Sequence, residues 1–358
     1  MIVVYFLITL MRKSYRVLRI VEEALMFDKS FKIRVSLGTA ALLNLTRIKL
    51  LAYPTTAYFM TYSSNGCIAN CAFCPQARES KSNLKMLSRI SWPTYSFDQV
   101  CKALKHEKVK REIKRICIQT LNYQNLFADL QAIISQIHKL APEIPISLPV
   151  HPIDEDKMKI LKELGVERLG IPFDAATPEI FDKIKGKHVK GPYTWEKHMD
   201  AVKRAIKILG DGRVSTHLII GLGETEKEAV NFIQEFSDLN VTIGLFAFTP
   251  IRGTKLEKHP PPPIDKYRRV QLARYLIQNK IARRENMNFD EEGKIIDFGI
   301  TREELNRIID SGQPFRTSGC PGCNRPFYNE SPRGPIYNFP WNPSKEEIKR
   351  IRKELQFL

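Results

Sequence analysis

The segment Gly66-Cys67-Ile68-Ala69-Asn70-Cys71-Ala72-Phe73-Cys74-Pro75 decides how the rest of the chain is read. It closely follows an apolar run, Thr55–Tyr62, that reads as a buried strand. The cysteine spacing is CxxxCxxC. Three thiolates on one tight loop can each bind one iron of a [4Fe–4S] cubane, which leaves the fourth iron open to a small molecule. A structural zinc site normally takes four ligands, usually from paired CxxC arms. A disulfide would leave one thiol over.

Outward from that loop, short apolar runs alternate with longer amphipathic segments from about Ala52 to Arg284. Candidate strands are Thr55–Tyr62, Arg115–Thr120, Ile144–Val150, Arg168–Phe173, Val214–Ile220 and Thr242–Phe248. Candidate helices between them are Asn125–Leu140, Ile153–Leu164, Pro178–Ile184, Thr194–Leu209 and Glu226–Leu239. Strand then helix, repeated, implies parallel strands joined by crossovers. A closed or partly open barrel and a doubly wound sheet both satisfy that pattern, and in both the chemistry collects at the carboxyl ends of the strands. After Pro260–Pro263, Ile264–Arg284 reads as a last helix. Thr301-Arg-Glu-Glu304 and Ser344-Lys-Glu-Glu347 are capping boxes for two short helices. The stretch 313–340 is rich in Pro and Gly and reads as a long ordered or metal-held loop. The expected division is an N-terminal helical extension over 1–51, a barrel over 52–285 and a metal-binding extension over 286–358.

Composition narrows the class. The 358 residues are 43% hydrophobic and 27% charged, which excludes disorder and a bundle of membrane spans. Lys and Arg number 56 against 39 Asp and Glu, a net charge of +17, which favours an acidic partner. Seven cysteines, three of them clustered, fit reduced thiols in a cytoplasmic protein rather than a secreted disulfide scaffold. The apolar run Met1–Met11 stops at Arg12-Lys13, short of the ~20 residues that span a bilayer. It lacks the features of a signal peptide and reads as a docking segment, or as sequence upstream of a true start at Met11. Ser14–Met26 has helical apolar spacing.

The cysteine pattern, with aromatic Phe73 ahead of the last thiol, resembles the signature of the radical S-adenosylmethionine superfamily. The resemblance covers roughly residues 52–285. It implies a parallel (βα) TIM-type barrel, partial or complete, with a [4Fe–4S] cluster on Cys67, Cys71 and Cys74. It also implies S-adenosylmethionine chelated at the open iron and cleaved to a 5′-deoxyadenosyl radical that abstracts hydrogen. Gly221-Leu222-Gly223-Glu224 is similar to the family's pattern after the fifth strand, where backbone packs on adenine. Asp174, in Phe173-Asp-Ala-Ala-Thr177-Pro178, resembles the biotin synthase aspartate that touches the ribose. Phe248-Thr-Pro-Ile-Arg252 is similar to the end of the sixth strand. The second-strand GGE-type motif is replaced by Gln119-Thr120.

A second metal site is expected at Cys320-Pro-Gly-Cys323, a knuckle common to iron–sulfur and zinc sites. Only one such pair exists, so Cys117 is the expected further ligand, reaching across the barrel mouth. Ser318, a histidine or substrate sulfur is the candidate fourth, and Cys101 is expected to be buried and inert. The combination resembles sulfur-inserting radical S-adenosylmethionine enzymes, in which an auxiliary iron–sulfur cluster is the sulfur source. FRTSGCPGCNRPFYNE with GPIYNFP looks most like lipoyl synthases made of two cooperating radical proteins. That likeness implies sulfur insertion into an octanoyl chain on an acidic lipoyl carrier domain or H-protein-like carrier, a second radical protein and an electron donor. Biotin synthase-like insertion into a small molecule and RNA thiolation are the rivals. No basic–aromatic interleaving supports the RNA reading, and no membrane partner is expected. The basic stretch Lys102–Arg115 is a candidate docking face.

Overall fold

The computed structural model describes residues 31–355. The run Met1–Met11 and the expected helix Ser14–Met26 lie outside them. In chain order the strands are β1 (Lys32–Val35), β2 (Thr56–Thr61), a hairpin of β3 (Met86–Leu87) and β4 (Ile90–Ser91), and β5 (Thr94–Ser96). They continue with β6 (Arg115–Gln119), β7 (Ile146–Pro149), β8 (Val166–Gly170), β9 (Val214–Ile220) and β10 (Thr242–Ala247). A second hairpin joins β11 (Asn288–Phe289) to β12 (Ile295–Asp297).

Six strands, β2 and β6 to β10, lie parallel and side by side in chain order. That order decides between the two architectures. Right-handed crossovers between successive neighbours put every helix on one face. A doubly wound sheet would reverse its order at a switch point. The six-strand unit is therefore a partial TIM-type barrel, helices outside and strand side chains inside. It is open: β10 is one sheet edge, and β1 and β5 extend the other side, antiparallel. Phe59, Ile116, Ile118, Leu148, Leu169, Leu218 and Leu245 are fully buried, as expected for strands covered on both faces.

The described part of the expected N-terminal extension, 31–51, is not simply helical. β1 pairs with β2, placing Ile33 opposite Thr61, and only the short helix Leu37–Leu42 follows it. A four-residue run, KIRV, shows too little periodicity to announce a strand; the open edge of β2 orders it. The helix expected over 264–284 stops at Gln278, with Asn279 beyond it. The two predicted capping boxes start helices: Ser344 and Glu347 bond reciprocally, and Thr301 accepts from the Glu304 N–H.

The C-terminal extension packs as part of the barrel. Arg268, fully buried on the helix Ile264–Gln278, donates to the Ile336 carbonyl at 2.6 Å and the Tyr337 carbonyl at 2.7 Å. It also pairs with Glu354 at 2.8 Å. Phe315, Tyr337 and Phe339 join the main core. Within this tail Glu330 is buried, with one carboxylate oxygen accepting from the Asn338 N–H at 3.2 Å. Burial pushes its carboxyl up to about 7.

A carboxyl raised in the folded state holds its proton after the unfolded chain has lost it. Glu330 therefore costs stability progressively between about pH 4.5 and pH 7. Glu330→Gln should melt at a temperature that gains on wild type as pH rises from about 5 to about 8. A gap independent of pH would contradict this assignment.

Candidate active site

The inner face of the sheet surrounds one cavity of about 290 Å³. Cys67, Cys71 and Cys74 line it from the loop after β2, and Phe73 lines it beside them. The loop is braced from several sides. Ile68 donates to the Asn122 carbonyl and Ala72 to the Ile184 carbonyl. Asn70 donates to Val189 at 2.6 Å. Gln76, two residues past Cys74, donates to the carbonyls of Leu84 and Met86 and accepts from Arg34 of β1 at 2.9 Å. The N-terminal strand thus reaches the cysteine loop through one buried arginine.

The donor set suits an iron–sulfur cluster. Burial pushes the Cys71 thiol up to about 12 and Cys74 well above its usual value. A thiolate becomes stable there only beside strong positive charge, which bound iron supplies. The Asn122 backbone N–H already points at Cys67 Sγ, at 3.1 Å. Such N–H···S bonds tune cluster thiolates. Among the described residues no three His, Cys, Asp or Glu side chains converge as ligands of one metal ion.

Asp174 lines the same cavity with a left-handed φ of +66° and pairs with Lys185 Nζ at 2.7 Å. Lys185 is 4% exposed, lies 5.5 Å from the Tyr193 ring centroid, and also donates to the Pro172 carbonyl. Lys185 escaped the sequence reading because Lys185-Gly-Lys at a helix end looks like ordinary surface. His151 and His217 also line the wall, each pushed down to about 4 by burial and so neutral at pH 7.

Four residues expected to contact the cofactor stand elsewhere. Glu224 braces the turn after β9, its carboxylate accepting from the Gly221 and Leu222 N–H groups at 2.9 Å each and pairing with Lys266 at 2.9 Å. Gly221 has φ +102°, and a Cβ there would sit 2.8 Å from Pro262 Cδ, so this glycine lets the Pro260–Pro263 run close on the turn. Gly221, Gly223 and Glu224 are not among the residues lining the cavity, and Arg252 is exposed to solvent. Glu224 is thus held by the turn's own N–H groups and by Lys266.

The three remaining cavity cysteines, Cys117, Cys320 and Cys323, line the same cavity. Tyr58, Cys117, Ser147 and Arg168 form one row across β2, β6, β7 and β8, each the register partner of the next. The tail knuckle sits on this row. Cys323 Sγ and Tyr58 Oη share a hydrogen bond of 2.9 Å, and Ser147 Oγ lies 3.5 Å from Cys320 Sγ. Gln119 donates to Cys117 Sγ at 3.1 Å. Cys117 lies mid-strand, and the knuckle comes from the amino-terminal end of the barrel rather than across its mouth. Thr55 donates to the Gly322 carbonyl and to Asn324 Oδ1, and Arg115 donates to the Pro321 carbonyl. The tail plugs the barrel end opposite the Cys67–Cys74 loop. Ser318 faces away, its Oγ accepting from the Leu245 N–H at 2.8 Å. Cys101 is buried in the main core, apart from both groups.

Between the two thiol groups runs an apolar strip. Tyr58, Met60, Trp92, Cys117, Leu121 and Tyr328 form a cluster distinct from the main core, with Cys67 and Cys323 packed against it. The cavity therefore offers thiol donors at two places and hydrocarbon-compatible wall between them.

The Radical SAM superfamily model matches residues 61–236. Biotin synthase of Clostridium acetobutylicum is 24% identical over 225 residues, covering 62% of this chain and 65% of the relative. Biotin synthase of Aquifex aeolicus is 26% identical over 201 residues, 55% of this chain and 56% of the relative. The chain thus spans less than two thirds of the length of these relatives. Ribosomal protein uS12 methylthiotransferase RimO of Thermus thermophilus is 26% identical over 169 residues, 46% of this chain and 36% of that one. Among solved structures, the FeFe-hydrogenase maturase HydG from Carboxydothermus hydrogenoformans superposes with a TM-score of 0.48 at 18% identity, covering 62% of this chain and 51% of that one. Over residues 61–236 the chain is thus similar to the radical SAM superfamily, and it resembles biotin synthases. The cofactors of such a domain are a [4Fe–4S] cluster and S-adenosylmethionine.

Cys117 and Cys101 are both buried thiols, yet only Cys117 faces the cavity. After anaerobic reconstitution Cys117→Ala should lower bound iron, while Cys101→Ala should keep the wild-type content. Equal loss in both variants, read by iron analysis, would show that the cavity position is irrelevant.

Proposed function

We propose that this protein is a radical S-adenosylmethionine enzyme that inserts sulfur into an octanoyl chain on an acidic carrier domain, together with a second radical protein. The single observation behind this reading is that Cys117, Cys320 and Cys323 line the same cavity as Cys67, Cys71 and Cys74. Cys67, Cys71 and Cys74 hold the radical cluster, and the other three hold an auxiliary cluster. When bound, the clusters and S-adenosylmethionine supply an electron, a hydrogen-abstracting 5′-deoxyadenosyl radical and sulfur.

The chain's own residues set the geometry. The Lys185–Asp174 pair fixes one ammonium and one carboxylate in the cavity wall near Cys71, where they can orient polar ends of a cofactor. The strip of Tyr58, Met60, Trp92, Leu121 and Tyr328 gives an aliphatic chain a dry path between the two thiol groups. The same strip excludes water from a reactive carbon centre. Outside the barrel, Lys102, Lys105, Lys108, Arg111 and Lys114 are exposed, and Lys114 abuts Gly322 of the tail knuckle. This basic face suits an acidic carrier domain and would raise its association rate.

The biotin synthase relatives favour a second reading, sulfur insertion into a small molecule. One assay separates the two. The reconstituted protein is incubated with S-adenosylmethionine, a reductant and either an octanoyl-lysyl peptide or desthiobiotin, with its partner protein supplied. The first reading predicts 5′-deoxyadenosine and a thiolated peptide. Strong 5′-deoxyadenosine formation with desthiobiotin, and none with the peptide, would transfer the assignment to the second.

A further inference from the structure

Three thiolates leave one iron of a four-iron cluster without a protein ligand. The cross-sheet row supplies a fourth donor. Cys117 and Ser147 are register partners on adjacent parallel strands, so their side chains leave the sheet on the same face. Ser147 is 2% exposed and lines the cavity beside Cys117, Cys320 and Cys323. Its Oγ lies 3.5 Å from Cys320 Sγ. A second contact at that oxygen is cationic: Arg115 Nη1 donates to it at 2.9 Å.

We propose that Ser147 Oγ is the fourth protein ligand of the cluster held by Cys117, Cys320 and Cys323, with Arg115 as its positioning residue. The inference rests on the auxiliary-cluster reading above. On ligation the serine O–H bond breaks, an O–Fe bond forms and the proton passes to water; no electron moves. A guanidinium donating to that oxygen favours an anionic form of it. Glu167, at 2.5 Å from the same Arg115 nitrogen, keeps the guanidinium in place. A hard oxygen donor among soft thiolates gives one iron a different environment from the other three. The other oxygen donor in the row, Tyr58, takes the opposite flank, sharing its hydrogen bond with Cys323. The Ser318 oxygen is occupied by the backbone of β10.

The test uses the full chain, anaerobically reconstituted with iron and sulfide, and reads iron content, Mössbauer spectrum and reduced EPR signal. S-adenosylmethionine is added to shift the radical cluster's signal away from the auxiliary one. Wild type should hold about eight irons. Ser147→Ala should lose auxiliary iron, and Ser147→Cys should restore it with altered EPR g-values and midpoint potential. Tyr58→Phe should keep the wild-type iron content, since Tyr58 bonds to Cys323 rather than to iron. Wild-type iron, g-values and potential in both Ser147 variants would overturn the proposal, as would iron loss that cysteine fails to restore. Only about four irons in wild type would instead overturn the auxiliary-cluster reading on which it rests.

Discussion

A parallel sheet wound in one direction collects all its helices on one face, and the opposite face must be filled by something else. In this chain the filling is chemical. From the carboxyl ends of the strands comes the loop with Cys67, Cys71 and Cys74; from their amino ends comes the knuckle with Cys320 and Cys323. Both depend on the register that puts Tyr58, Cys117, Ser147 and Arg168 in one row. A one-residue slip of β6 would turn Cys117 out of the cavity and empty the centre of that row.

The extensions on either side of the barrel are parts of the site. Arg34 on β1 holds Gln76, and Gln76 holds the chain just after the cysteine loop. Arg268 holds the tail by two backbone carbonyls and one carboxylate, while Arg115 and Thr55 fix the knuckle itself. Arg268, Arg115 and Thr55 thereby give backbone carbonyls of the irregular 313–340 stretch hydrogen-bond partners.

Much of this was legible in the sequence. Val214–Ile220 and Pro178–Ile184 announced themselves by apolar run and by cap, and the structure gives the same bounds. The three-cysteine spacing and the CPGC pair pointed to their chemistry from the sequence, and the structure brings Cys117 into the same cavity. The misses have physical causes. β1 is too short to carry a period, and its pairing with β2 is a tertiary effect. Lys185 and Ser147 are common residues whose burial depends on contacts far along the chain. Glu224 and Arg252 were read from likeness to a pattern, which does not report that a carboxylate is already used by a turn or that a guanidinium faces water.

The central claim is that one barrel cavity carries two separate iron–sulfur sites, built from two triplets of cysteine. Mössbauer spectroscopy on the anaerobically reconstituted chain and on its Cys320→Ala/Cys323→Ala variant tests it most directly. The account predicts about eight irons per wild-type chain and about four in the variant, with the remaining spectrum still responding to S-adenosylmethionine. The same iron content in both proteins would contradict it.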